Sequence, residues 1–146
     1  MNNLKVLTEY NKEDKASTCI LNYKGKLFVG FAICHTDDAD MASEITGGFI
    51  AESRAYIKLY QHIRDHEIKP ELKSLKQLFY SMNRSKKFNP KSYENIMLQR
   101  QIRLLENELA TTKEMIVDAQ QNLRAYITNK EKAYQRIRKH REAKNK

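Results

Sequence analysis

"FVGFAICHTDDADMASEITGGFIAE", residues 28–52, decides the fold, because two periodicities meet inside it. Up to Ile33 the residues are β-branched and aromatic, as in a strand. From Ile45 onward apolar residues recur at alternating four- and three-residue steps, as on a helix. Between them stand Cys34, His35 and the aspartates 37, 38 and 40. A zinc site needs paired Cys/His spacing, and no second pair exists in the chain. A calcium loop begun at Asp37 would put Ala39 and Met41 where oxygen ligands belong. A helix start fits better. Asp38 or Asp40 can accept from free backbone N–H groups, and their charge opposes the positive end of the helix dipole. The stretch reads as a strand-to-helix junction, with no metal or cofactor expected.

Upstream, "STCILNY" (17–23) and "LFVGFAI" (27–33) flank "KGK". Opposed residues of an antiparallel pair share a face. The odd positions form the better apolar set: Cys19, Leu21, Tyr23, Leu27, Val29, Phe31 and Ile33. Matching odd with odd predicts a three-residue loop with Gly25 in the left-handed region. Cys19 then lies opposite Val29 or Phe31, so Cys19 and Cys34 read as free thiols. "LKVLTEY" (4–10) offers a third strand. A lone hairpin is marginal in water, so its apolar face must cover something.

Downstream, Ile45, Phe49, Glu52, Tyr56, Leu59 and Ile63 form one helical stripe, and Ile68, Leu72, Leu75, Phe79 and Met82 a second. Pro70 lies just beyond the junction of the two. Its ring clashes with the carbonyl of His66, which predicts a kink or a break near 66–69. Gly47-Gly48 reads as a close backbone approach beneath the hairpin, or as a frayed first turn. "NRSKKFNPKSYE" (83–94) separates the next helix, with Asn89 as cap and Pro90 at the first helical position. Leu98, Ile102, Leu105, Leu109, Thr112, Ile116, Ala119, Leu123, Tyr126, Lys130, Ala133 and Ile137 then keep a heptad without a slip.

The expected fold is mostly α with a small β-hairpin: an N-terminal antiparallel β-hairpin packed on a long antiparallel, coiled-coil-like helical hairpin. One domain spans 1–146, with the hairpin region at 1–36, a first helical arm at 38–86, a second long helix at 90–140 and a basic tail at 141–146. Scarce Gly (4) and Pro (2), with 31% charged residues, suit long helices with wide solvated faces. No apolar run is long enough for a transmembrane helix, and "MNNLKVLTEYNKEDK" has no signal core, which points to an intracellular, cytoplasmic protein without a membrane partner.

Catalysis is not expected. No glycine-rich phosphate loop, G-x-S-x-G or Ser/His/Asp set occurs. His62 and His66 share a helix face but lack the glutamate of HExxH and a nameable third ligand. Glu44 and Glu52 share a face with no cleft around them.

The net charge is +9, and residues 130–146 hold eight Lys/Arg against two Glu, which is +6 of it. Such an end favours acidic partners, or is a solvated helix end. "KPELKSLKQLFYSMNRSKKFNPK" (69–91) holds seven Lys/Arg and one Glu, interleaved with Phe79, Tyr80 and Phe88. Cations for phosphates and rings for bases suit nucleic acid. The same stretch also reads as core packing by Phe79 with a solvated loop. Candidate partner- or nucleic-acid-binding residues are Lys73, Lys76, Arg84, Lys86, Lys87 and Lys91, with Arg136, Arg138, Lys139 and Arg141 near the end.

"FVGFAICHTDDADMASEITGGFIAESRAYIK" and "NPKSYENIMLQRQIRLLENEL" together resemble small accessory proteins of phages and mobile elements of Gram-positive bacteria. Some of these look like anti-CRISPR inhibitors of the type II RNA-guided effector nuclease. The resemblance covers residue 4 to about 127 and rests on overall pattern. It implies a non-enzymatic inhibitor docking on that nuclease or its guide complex in the bacterial cytoplasm. A basic chain does not suit DNA mimicry; it suits an acidic protein face, with contact to guide RNA or DNA also open. The alternatives are a basic nucleic-acid-binding accessory protein and a self-associating coiled-coil scaffold. A monomer and a dimer both remain open.

Overall fold

The computed structural model describes residues 3–34, 44–84, 89 and 91–146. Strands β1 (Leu4–Asn11), β2 (Ala16–Tyr23) and β3 (Lys26–Ile33) precede helix α1 (Glu44–Ile63), a π-helical turn (Arg64–Ile68), α2 (Lys69–Asn83) and α3 (Tyr93–Lys144). The protein is mostly helical, with a three-stranded antiparallel sheet packed against helices. The chain forms two compact units, Met1–Leu59 with Asp118–Lys146, and Tyr60–Val117.

The third strand read in "LKVLTEY" is present as β1, so the sheet order is β1-β2-β3. The register of the central pair differs from the expectation. Tyr23 pairs with Lys26 and Cys19 with Gly30, so the loop has two residues, not three. Lys24 (φ 51°) and Gly25 (φ 81°) both take left-handed backbone. That is the type I′ geometry, whose twist matches the strands on either side. The one-residue shift turns β3 over. Ser17, Cys19, Leu21 and Tyr23 of β2 share the buried face with Phe28, Gly30 and Ala32 of β3. Leu27, Val29, Phe31 and Ile33, expected in the core, face outward.

The physical reason lies in the first unit. Gly30 rests on the backbone of α1, where an added Cβ would collide with the carbonyl oxygen of Ala51 and come within 2.6 Å of the amide nitrogen of Ala55. Only the even face of β3, with Gly30 and Ala32, is thin enough to let a helix approach so closely. Helix α1 answers with small residues: Ala51 and Ala55 are fully buried, and so is Leu59 one turn on. The expected stripe along Ile45, Phe49 and Glu52 is therefore not what the sheet covers; Ile45 is 83% exposed. Phe49 instead meets Tyr126 of α3, with ring centroids 4.4 Å apart. The Gly47-Gly48 reading is half met: a Cβ on Gly47 would strike Ser17 of β2, whereas Gly48 faces open space.

The edge of β3 is covered from α1. Arg54 Nη1 donates to the Phe31 carbonyl (2.6 Å) and Lys58 Nζ to the Val29 carbonyl (2.7 Å). Charged side chains on edge carbonyls remove the template for strand addition.

Neither cysteine is in a disulfide; Cys19 is buried and Cys34 half-buried. Burial pushes the Cys19 thiol up from its ordinary 9.0, and nearby Glu52 adds to the rise while a hydrogen bond with Thr8 opposes it. A raised folded-state value gives a contribution present in full below the unfolded value and lost as pH rises through the folded one. Native protein should thus lose a little stability above about pH 8.5. At pH 8, iodoacetamide should modify Cys34 and spare Cys19 until the chain is unfolded, with peptide mass spectrometry reading the sites.

In the second unit the expected kink or break at 66–69 is resolved without breaking the helix. The Lys69 amide donates to the carbonyl of Arg64, five residues back. Widening to a π turn accommodates a Pro70 that cannot donate and whose ring crowds the preceding turn. The stripe Ile68, Leu72, Leu75, Phe79 and Met82 is buried or half-buried, as read from the sequence. Helix α3 begins at Tyr93, not 90. The Asn95 amide donates to Ser92 Oγ (3.4 Å), so Ser92 serves as the cap, while Asn89 Oδ1 accepts from Lys91 N–H (3.0 Å) in the preceding turn. The helix runs 52 residues, about 78 Å, through most of the expected basic tail to Lys144. From Leu98 to Ala133 its heptad positions are buried or half-buried, with Leu105, Thr112, Ile116 and Leu123 buried; Ile137, expected to continue the seam, is 41% exposed. The Thr112 hydroxyl donates to the Glu108 carbonyl (2.8 Å), which satisfies this polar residue within the helix.

The cap assigned to Asp38 or Asp40, the residue His35, Pro90 and most of the inter-helix loop lie outside the described residues. No helix among the described residues is long and apolar enough to cross a membrane.

Candidate functional site

The expected cations fall into two groups, one in each unit. On α2 and its C-terminal cap, residues 69, 73, 76, 80 and 84 follow one another at helical spacing along one flank. This flank lies about 120° around from the Leu72–Phe79 stripe, so burying the stripe turns the cations outward. Lys73 and Arg84 are exposed, and Tyr80 between them is 57% exposed. Lys91, in the turn before α3, is exposed as well. Lys86 and Lys87 lie outside the described residues.

Two members of this flank are partly neutralised. Lys76 Nζ lies 3.1 Å from Glu106 of α3. Lys69 Nζ lies 3.2 Å from Asp65, which also binds Arg64 at 2.8 Å. Hydrogen bonds from Arg64 first, and Lys69 second, hold the Asp65 carboxyl well below the usual carboxylate range. The strongest unpaired positive character therefore sits at Lys73, Arg84 and Lys91. A shallow depression beside them is lined by Lys76, Phe79 and Tyr80 of α2 and by Ile102, Arg103 and Glu106 of α3. The Phe79 and Tyr80 rings lie 6.2 Å apart at its edge.

In the other unit, Arg136 and Lys139 are exposed on the side of α3 away from the heptad seam. Arg138 is half-buried, and Arg141 is exposed one helical step beyond Ile137.

His62 and His66 stack face to face, with centroids 4.8 Å apart. Among the described residues no three His, Cys, Asp or Glu side chains come together as metal ligands. The neighbouring Asp65 is engaged by Arg64 and Lys69.

One surface was missed at sequence level. The outer face of the sheet carries Leu7 (53% exposed), Val29 (39%), Phe31 (46%) and Ile33 (62%), with half-buried Ile20 among them. A groove at one end of this face is lined by Phe31 and Ile33 together with Glu9, Lys12, Glu13 and Asp14. The available signal was the pair of small residues Gly30 and Ala32, which mark the even face of β3 as the one pressed against a helix.

No family model matches the chain, and neither a curated protein nor a solved structure matches it.

Proposed function

We propose that the protein acts by docking on another macromolecule and carries out no chemistry of its own. The observation that carries this reading is the outward flank of α2, where an exposed Tyr80 stands between Lys73 and Arg84 along the helix and Lys91 follows in the turn before α3. Exposed cations on either side of an exposed tyrosine suit an acidic surface. We assign the leading partner to the class implied by the resemblance: an acidic face of the type II RNA-guided effector nuclease in a bacterial host, held without DNA mimicry. Within each unit the earlier helix would lie antiparallel to α3, as in a coiled-coil-like hairpin. The Lys76–Glu106 ion pair in one unit and the Phe49–Tyr126 contact in the other each support antiparallel pairing of α3 with the earlier helices.

Cleavage assays with purified effectors and guide RNA test it. Equimolar protein should suppress cleavage, and the triple variant Lys73→Glu, Arg84→Glu, Lys91→Glu should restore it. Undiminished cleavage across a panel, with no complex on size exclusion, removes the reading.

A second reading, binding to single-stranded nucleic acid, is favoured by the Phe79–Tyr80 ring pair beside these cations. Its affinity should fall steeply with salt, by a log–log slope near −2 for about three neutralised phosphates. Weak binding that does not change with salt speaks against it.

A further inference from the structure

We infer that the outer face of the sheet is a self-complementary surface on which a second copy of this chain docks, face to face and with strands antiparallel. The register sets out this face in rows: Lys5, Asn22 and Leu27; then Leu7, Ile20 and Val29; then Glu9, Thr18 and Phe31. A two-fold axis lying along the central row leaves Leu7, Ile20 and Val29 each against its own counterpart. The same rotation sets the first row over the third. Lys5 of one copy meets Glu9 of the second, Leu27 meets Phe31, and Asn22 meets Thr18.

Within these three rows every contact is apolar on apolar, opposite charge on opposite charge, or polar on polar; Ile33, one row beyond Phe31, lies over the Lys24-Gly25 turn. A uniformly charged partner would meet a like charge at one end of the face, because the sign reverses from Lys5 to Glu9 along β1. Two sheets stacked with near-aligned strands are a standard packing. Covering the face by an identical one is an isologous contact, which closes at two copies. Three strands of eight residues offer a face of roughly 14 Å by 26 Å. Two such faces bury less than the usual 1,200 Å² minimum of a stable complex, so the dimer is a weak one, formed only well above low micromolar concentration. This inference is independent of the α2 flank and of the partner proposed for it.

Sedimentation equilibrium over a concentration series tests it. The mass should rise from the 17.2 kDa of one chain toward twice that value. Lys5→Glu or Glu9→Lys alone should weaken association about tenfold, two symmetry-related pairs being affected. The double swap Lys5→Glu with Glu9→Lys should return it to within about twofold of the parent. Val29→Lys should abolish it. These side chains are exposed, and circular dichroism should show unchanged folding. If Val29→Lys fails that check, the charge swap decides alone. A monomer up to roughly 0.5 mM, a dimer indifferent to Lys5→Glu, or a double swap that fails to restore association overturns the inference.

Discussion

Gly30→Ala should leave a chain that barely folds. The added methyl would be driven into the carbonyl of Ala51, which is helix backbone and cannot move aside as a side chain does. Either the sheet lifts from α1 or the helix bends. The first uncovers Cys19 and Leu21, which are fully buried, and the second disturbs Ala55 and Leu59 on the same face. Overpacking of this kind costs about 3 kcal/mol or more when backbone must shift. That is a large share of the stability of a domain of this size. Denaturant titration followed by circular dichroism reads the loss. Gly48→Ala is the matched control. No atom lies within 4 Å of its added methyl, and the position is inside α1. It should gain up to about 1 kcal/mol from helix propensity. Equal stabilities for the two variants would mean that the sheet does not sit on α1 through Gly30.

Leu21→Ala and Phe31→Ser should differ sharply, and the ordering tests the register. Leu21 is fully buried beneath the sheet, paired with Phe28. Its truncation removes apolar contact and leaves a cavity, at a cost of about 3 kcal/mol. Phe31 is the larger side chain, yet it is 46% exposed on the outer face. Its replacement should cost under about 1 kcal/mol when the protein is dilute enough to be monomeric. A three-residue loop would have put Phe31 in the core beside Cys19 and reversed this order. Thermal melts of both variants at low micromolar concentration decide between the registers.

The candidate site was legible to different depths. The cations at 73, 76, 84 and 91 are plain in the sequence because charge is a local property. For Lys73, Lys76 and Arg84 the outward direction is also implied, since the Ile68–Met82 stripe fixes which side of α2 is buried. The neutralisation of Lys76 by Glu106 was not legible, because the pair spans thirty residues of sequence and depends on α2 lying beside α3. The outer sheet face was misread for a different reason. Residues 27, 29, 31 and 33 are the more apolar set, and apolarity alone assigns them to the core. The structure buries the less apolar set because Gly30 and Ala32 let α1 come closer.

By itself the sequence determined what backbone geometry dictates within a few residues. Strand alternation on either side of Lys24-Gly25, the seam of α3 from Leu98 to Tyr126 and the disturbance before Pro70 all follow from fixed local periods and sterics. Tertiary structure alone decided which face each element buries. That choice depends on what packs opposite: backbone of α1 against Gly30, Ser17 against Gly47, Tyr126 against Phe49. A period marks out the faces of a strand or helix; only the partner across the interface selects among them.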